Sequence, residues 1–149
     1  MSAAAADAVP YTGALPKPTP DTQAFWDGLK LQRLMLPWCK DCEKPHFYPR
    51  SCCPFCFSWK LEWREASGRG KVHTFVINHK AARGFEGKVP YVIAVIELEE
   101  GPRMLSNLVL DFVPDPDNIR IDMDVEVVFD AVTPEVTLAK FRPVARAQS

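Results

Sequence analysis

"CKDCEKPHFYPRSCCPFC", residues 39–56, carries all five cysteines of a 149-residue chain. Cys39 and Cys42, then Cys53 and Cys56, make two C-x-x-C pairs with ten residues between them. Each pair presents two sulfurs from one tight turn, and the intervening residues suffice for a hairpin that brings the turns together. The expected product is a tetrahedral four-thiolate site, which suits Zn²⁺ and which iron also fills in rubredoxin-type electron carriers. Four thiolates complete the tetrahedron and leave no position for water or substrate, so the metal is expected to be structural. Cys52 directly precedes the second pair, which points its Cβ away from the metal; it reads as a small buried hydrophobe. The residue after such a pair is commonly a glycine with positive φ, whereas here Glu43 and Phe57 stand there. Each is expected to cost about 1 kcal/mol of backbone strain, which metal–thiolate bonding outweighs. His46 falls in mid-hairpin and is expected to be exposed and not a ligand.

Around this segment the chain is 47% apolar, enough for one domain or for a small module joined to a larger one. Lys and Arg total 18 against 19 for Asp and Glu, so a net charge of −1 gives no general attraction to nucleic acid or an anionic membrane. No apolar run approaches the roughly 20 residues of a membrane span. The N-terminus lacks a basic stretch followed by a long apolar one, so it does not read as a secretory signal. A cytoplasmic, reducing setting follows, where clustered thiols are metal ligands sooner than disulfides.

Residues 1–20 are Ala-rich and then carry Pro10, Pro16, Pro18 and Pro20, which reads as a flexible arm. Asp21 is a good N-cap, and Phe25, Trp26 and Leu29 recur at helical spacing, so a helix is predicted over 21–33. The metal ribbon takes 34–65. Its aromatics, Trp38, Phe47, Tyr48, Phe55, Phe57, Trp59 and Trp63, are too many for so small a core; several must pack on the helix or barrel or lie at a partner surface. Over 66–145 five β-branched runs follow: "KVHTFVINH", "YVIAVIEL", "RMLSNLVL", "DVEVVFDAV" and "VTLAKF". Five short strands suggest a small closed barrel, of which the OB-fold is the commonest. The link 112–121 is too short and Pro-rich for the helix usual after its third strand. The predicted fold class is mainly β: a helix, a zinc ribbon and a five-stranded OB-fold barrel.

No catalytic residue is assigned. A Ser or Cys nucleophile needs a positioned base, and the only histidines are His46, His73 and His79. His73 and His79 share a face if the first barrel strand is regular. The charges divide: Arg64, Arg69, Lys71, Lys80, Arg83 and Lys88 face Glu65 and Glu86, whereas from 97 to 135 eleven acids face Arg103 and Arg120. The second and third barrel strands, where a single-strand-binding OB-fold carries basic and aromatic residues, have almost neither, which argues against nucleic acid. A basic loop beside an apolar barrel suits a small anion with an apolar tail, such as an acyl-CoA.

Taken together, "FWDGLKLQRLMLPWCKDC", "FYPRSCCPFC", "SGRGKVHTFVINH", "VPYVIAVIELEEGPRMLSNLV" and "VEVVFDAVTPEVTLAKFRPV" run in order over residues 25–144. The chain resembles the zinc-ribbon/OB-fold proteins of domain-of-unknown-function family thirty-five. It departs from them at Glu43, Phe57 and Asp122, where the family often has Gly. The resemblance implies a rubredoxin-like ribbon with structural Zn²⁺ on Cys39, Cys42, Cys53 and Cys56. It also implies a non-catalytic, acyl-CoA-binding scaffold subunit in a hetero-oligomer with a thiolase-like catalytic subunit (a thiolase, acyltransferase or aldolase) in lipid, steroid or aromatic acyl-CoA metabolism. A partner subunit of an enoyl-CoA hydratase is the alternative within the family, and a nucleic-acid-binding ribbon/OB module the alternative outside it. No family rule fixes the CoA contacts. Chemistry points to the loop "NHKAARGFEGKVPY", with Lys80 and Arg83 for phosphates, Phe85 for stacking or acyl contact, and His79 beside them.

Overall fold

The computed structural model describes residues 11–144. The first ten residues of the expected arm and the last residue of the expected barrel segment lie outside them. In chain order come α1 (Gln23–Lys30), β1 (Met35–Cys39), β2 (Leu61–Glu65), β3 (Arg69–Asn78), β4 (Tyr91–Leu98), β5 (Arg103–Leu108), β6 (Asp124–Ala131) and β7 (Thr137–Pro143).

Phe25 and Leu29, one helical turn apart, give α1 its buried face. Its N-cap is Thr22 and not Asp21. The Thr22 hydroxyl turns away from the helix, donating to the Thr19 carbonyl and accepting from the Thr19 N–H at 2.9 Å. The helix stops where Gln32 enters the left-handed region at φ 58°, and the Arg33 N–H returns to the Gly28 carbonyl at 2.8 Å. Gly28 lets β1 approach: a Cβ there would lie 2.5 Å from the Met35 side chain.

β1 and β2 pair antiparallel, with Pro37 opposite Trp63, and the cysteine turns lie between them. β3 to β7 close a barrel in the order β3-β4-β5-β7-β6, the OB-fold order. Val92, Ala94, Ile96 and Leu98 alternate inward along β4, and Phe141 of β7 is fully buried. A parallel contact of β5 with β7 at Leu108 and Phe141 completes the closure. As the prolines imply, no helix forms between β5 and β6; Ile119 alone in the link 109–123 is buried. The regularity on which a shared face of His73 and His79 depended is absent: a bulge between Val72 and Thr74 leaves His73 without a partner on β4, and β3 ends at Asn78.

Helix, ribbon and barrel share one interior. α1 packs on β1 and also on β6 and β7, so Phe25, Leu29, Leu36, Ile96, Val125 and Phe141 belong to a single apolar cluster.

Candidate metal centre and ligand surface

The two cysteine turns repeat the same backbone bonds. The Cys39 N–H donates to the Lys44 carbonyl and the Glu43 N–H to the Cys39 carbonyl; Cys53 N–H to Ser58 and Phe57 N–H to Cys53 reproduce both, at 2.8–3.0 Å. The repeat requires a left-handed residue after each pair, and Glu43 (φ 60°) and Phe57 (φ 64°) adopt that conformation despite their side chains. Within each turn a backbone N–H points at a sulfur: Cys42 to Cys39 Sγ and Phe55 to Cys53 Sγ, both 3.4 Å.

All four sulfurs lie within 4.8 Å of one another, with Cys39–Cys56 and Cys42–Cys53 both at 3.6 Å. A tetrahedron with 2.3 Å Zn–S bonds has an S···S edge of about 3.8 Å, so the set fits a tetrahedral ion with little movement. As thiols the four do not titrate alike. At Cys39 the Cys42 N–H outweighs burial and lowers the pKa. At Cys53 burial opposes ionisation, but the N–H groups of Cys56 and Phe55 bring it down to about 7. Burial raises Cys42. At Cys56 the Ser58 N–H favours the thiolate, yet burial and the three neighbouring sulfurs push it up to about 12. Four adjacent thiolates need a cation to coexist, which is the chemistry of a structural metal. Cys52 is half-buried and its Sγ faces the Cys53 carbonyl at 3.7 Å, outside the sulfur set.

His46 corrects the sequence reading. It is 3% exposed, not solvated, and neither ring nitrogen has a hydrogen-bond partner among the described residues. Burial, with the nearby Arg50 charge, lowers its pKa. It lines a seam of about 560 Å³ between ribbon and barrel, with Phe47, Arg50, Glu100 and Arg103.

The loop 79–90 holds its four singled-out residues differently. Phe85 stacks on Tyr91, with centroids 4.1 Å apart and planes at 17°, and the Tyr91 hydroxyl accepts from Asn78 Nδ2 at 2.7 Å. Both rings line a cleft of about 390 Å³ with Phe112, Leu108, Lys88 and Lys140. His79, Lys80 and Arg83 are exposed and lie outside that lining. Neither Lys80 nor Arg83 pairs with a carboxylate among the described residues. Sequence reasoning passed over Lys88 and Phe112 as cleft residues: Lys88 counted only as charge, and Phe112 sat in a link read for its prolines.

Two family models match: "ChsH2, rubredoxin-like zinc ribbon domain" over residues 26–62 and "ChsH2, C-terminal OB-fold domain" over 63–130. A "DUF35 domain-containing scaffold protein" of Methanocaldococcus jannaschii is 40% identical over 114 residues, 71% of this chain and 78% of the relative. The chain therefore belongs to the DUF35 family of zinc-ribbon/OB-fold scaffold proteins. A "Probable enoyl-CoA hydratase alpha subunit" of Thermomonospora curvata is 38% identical over 122 residues; these are 80% of this chain but only 37% of that protein, little more than a third of its length. Among solved structures, a chain of the "Ltp2-ChsH2(DUF35) aldolase" is 34% identical with a TM-score of 0.76, over 87% of this chain and 98% of that one. No described helix is long and apolar enough to cross a membrane.

Proposed function

We propose that the chain is a non-catalytic, acyl-CoA-binding scaffold subunit of a CoA-dependent, thiolase-like enzyme (a thiolase, acyltransferase or aldolase) working in a reducing, cytoplasmic setting. One observation carries this reading: the best-formed chemical centre is a closed four-sulfur set with no position for a substrate. No described histidine is positioned as a base, since His46 is buried without a partner and His73 and His79 are exposed. Likeness to a chain of an aldolase complex supports a partner that supplies the catalytic groups. On this chain, Phe85, Tyr91 and Phe112 offer apolar walls to an acyl or pantetheine arm, while Lys80, Arg83 and Lys88 offer free cations to phosphates. The resemblance to a hydratase alpha subunit favours one second reading, a partner of an enoyl-CoA hydratase.

The test is an add-back assay. The purified chain alone should carry out no acyl-CoA thiolysis, aldol cleavage or hydration, and should raise the activity of the catalytic subunit that co-purifies with it; turnover by the chain alone would sink the reading. Which reaction is stimulated separates aldolase, thiolase and hydratase. The variant K80E/R83E should raise KM for the acyl-CoA about tenfold or more while leaving the metal in place. An unchanged KM in an active complex would assign the CoA phosphates to the partner.

A further inference from the structure

The second cysteine turn and the residues after it carry three largely exposed aromatic rings, of which Phe55 also lines the ribbon–barrel seam with Lys44 while Phe57 and Trp59 do not. Phe55, Phe57 and Trp59 are 56%, 74% and 74% exposed. Phe57 is the telling one. It occupies the left-handed position after Cys56, where any side chain is strained and glycine is favoured, yet three quarters of the residue lie in water. A bulky side chain held at a strained position with so little packing of its own contributes little to the isolated chain. Its use must lie elsewhere.

Lysines lie near these rings. The Lys40 N–H donates to the Lys60 carbonyl at 2.9 Å, so the two backbones are cross-strand neighbours next to Trp59 in the chain, and Lys44 Nζ stands 5.3 Å from the centre of the Phe55 ring. None of these lysines pairs with a carboxylate among the described residues. Of the nearby acids, Asp41 accepts from the Ser58 hydroxyl and Glu62 pairs with Arg64, which leaves Glu43 as the exposed acid against three lysines. Exposed aromatic anchors among unpaired lysines in excess over free carboxylates are complementary to an apolar pocket that carries carboxylates.

We infer that this end of the ribbon is a docking surface, and that its occupant is the catalytic subunit, which presents an apolar pocket rimmed by Asp or Glu. The inference rests on the scaffold reading above and adds the place of contact. Phe57 and Trp59 are the anchors, and the lysines steer association and make it salt-sensitive.

Two variants and a control in the full chain test it, with the co-purifying acyl-CoA enzyme subunit, identified by mass spectrometry, as probe. Phe57→Gly should raise Tm by about 2–4 °C through relief of the left-handed strain, and should retain the metal. The same variant should weaken binding of the catalytic subunit at least tenfold. Trp59→Ser should weaken it similarly, and Leu105→Ser, at a residue 68% exposed on β5, should leave it unchanged. Hydrogen exchange at residues 54–60 should slow in the complex. Variants that bind as tightly as the unaltered chain overturn this surface while leaving the scaffold reading standing; an unaltered chain that forms no complex with any acyl-CoA enzyme subunit sinks both. A fall in Tm for Phe57→Gly would place the ring's role inside the fold. Self-association, or binding of a thymidine oligonucleotide, that Trp59→Ser abolishes would assign the face to a second copy or to single-stranded nucleic acid, against the inference.

Discussion

The backbones of Gly13 and Gly84 touch. A Cβ built on Gly84 would stand 2.4 Å from the Gly13 Cα and 2.8 Å from its nitrogen, closer than real atoms come. Gly84 is accordingly buried, although its neighbours Arg83 and Glu86 are exposed. The segment before α1 is thereby fastened to the loop that carries Lys80, Arg83 and Phe85. The Tyr11 ring folds over Gly13, and its hydroxyl donates to the Ala14 carbonyl at 3.3 Å.

Gly84→Ala should therefore detach residues 12–14 from the loop. Gly87→Ala is the matched control: position 87 also has positive φ (75°), but a Cβ there meets nothing within 4 Å. Both variants carry the strain of a left-handed alanine, about 1 kcal/mol, and only Gly84→Ala adds a clash of about 1–3 kcal/mol, unless the segment lifts away. An NMR contact between the Gly13 and Gly84 α-protons should be present in the unaltered chain and in Gly87→Ala. Its absence from the unaltered chain would refute the packing.

For the metal, Cys39→Ser or Cys56→Ser should lose the bound ion, unfold the ribbon and abolish complex formation, whereas Cys52→Ser should do none of these. Metal analysis of the three variants decides it, and loss of the ion in Cys52→Ser would overturn the ligand set. Colour identifies the metal: ferric thiolate absorbs visible light and Zn²⁺ does not.

Asp122 sits at φ 65° just before β6, and its N–H donates to the Val72 carbonyl at 2.8 Å, a bond that glycine would keep. Asp122→Gly and Glu43→Gly should each stabilise the chain by up to about 1 kcal/mol, the relief of strain being partly offset by the greater freedom of an unfolded glycine. Aspartate tolerates this conformation better than most residues, so the smaller gain should fall at 122. Denaturant titration measures both, and a clear loss at either position would mean that the side chain there makes a stabilising contact that outweighs the strain.

His46 gives the pH dependence its sign. Its folded pKa lies below the ordinary 6.5, so as pH falls through that value the unfolded chain takes up a proton that the folded chain refuses, and stability drops. The stability it secures is present above about pH 6.5 and is lost progressively below it. His46→Leu should flatten the decline between about pH 7 and 6 in metal-loaded protein. An unchanged slope in that variant would place the titrating group elsewhere.

How far the sequence could be read depended on the distance over which each feature is determined. The cysteine turns are local: the spacing of Cys39, Cys42, Cys53 and Cys56 already implies their geometry, and with it the strain at Glu43 and Phe57. The barrel strands also declare themselves as short β-branched runs, and Pro114 and Pro116 exclude a helix in the link. The bulge at His73 left no mark in "KVHTFV", because it is set by pairing with β4. His46 looked exposed since its hairpin position says nothing of the barrel that covers it. The contact of Gly13 with Gly84 joins residues far apart in sequence, and neither glycine is distinctive alone. Among the ribbon aromatics the sequence asked for a division without supplying it; the structure turns Phe47 and Trp63 toward the core and leaves Phe55, Phe57 and Trp59 outside.

The interior shared by ribbon and barrel makes metal supply a checkpoint for the whole chain. β1 carries Leu36 in the common core and, on the same five-residue strand, Cys39 in the sulfur set. A newly made copy without its ion lacks not only the ribbon's tip but also the strand against which α1 packs its buried face. Such a copy exposes apolar surface that the folded chain buries. A cell short of the metal would thus hold chains whose common core stays open, however well the barrel strands themselves are made.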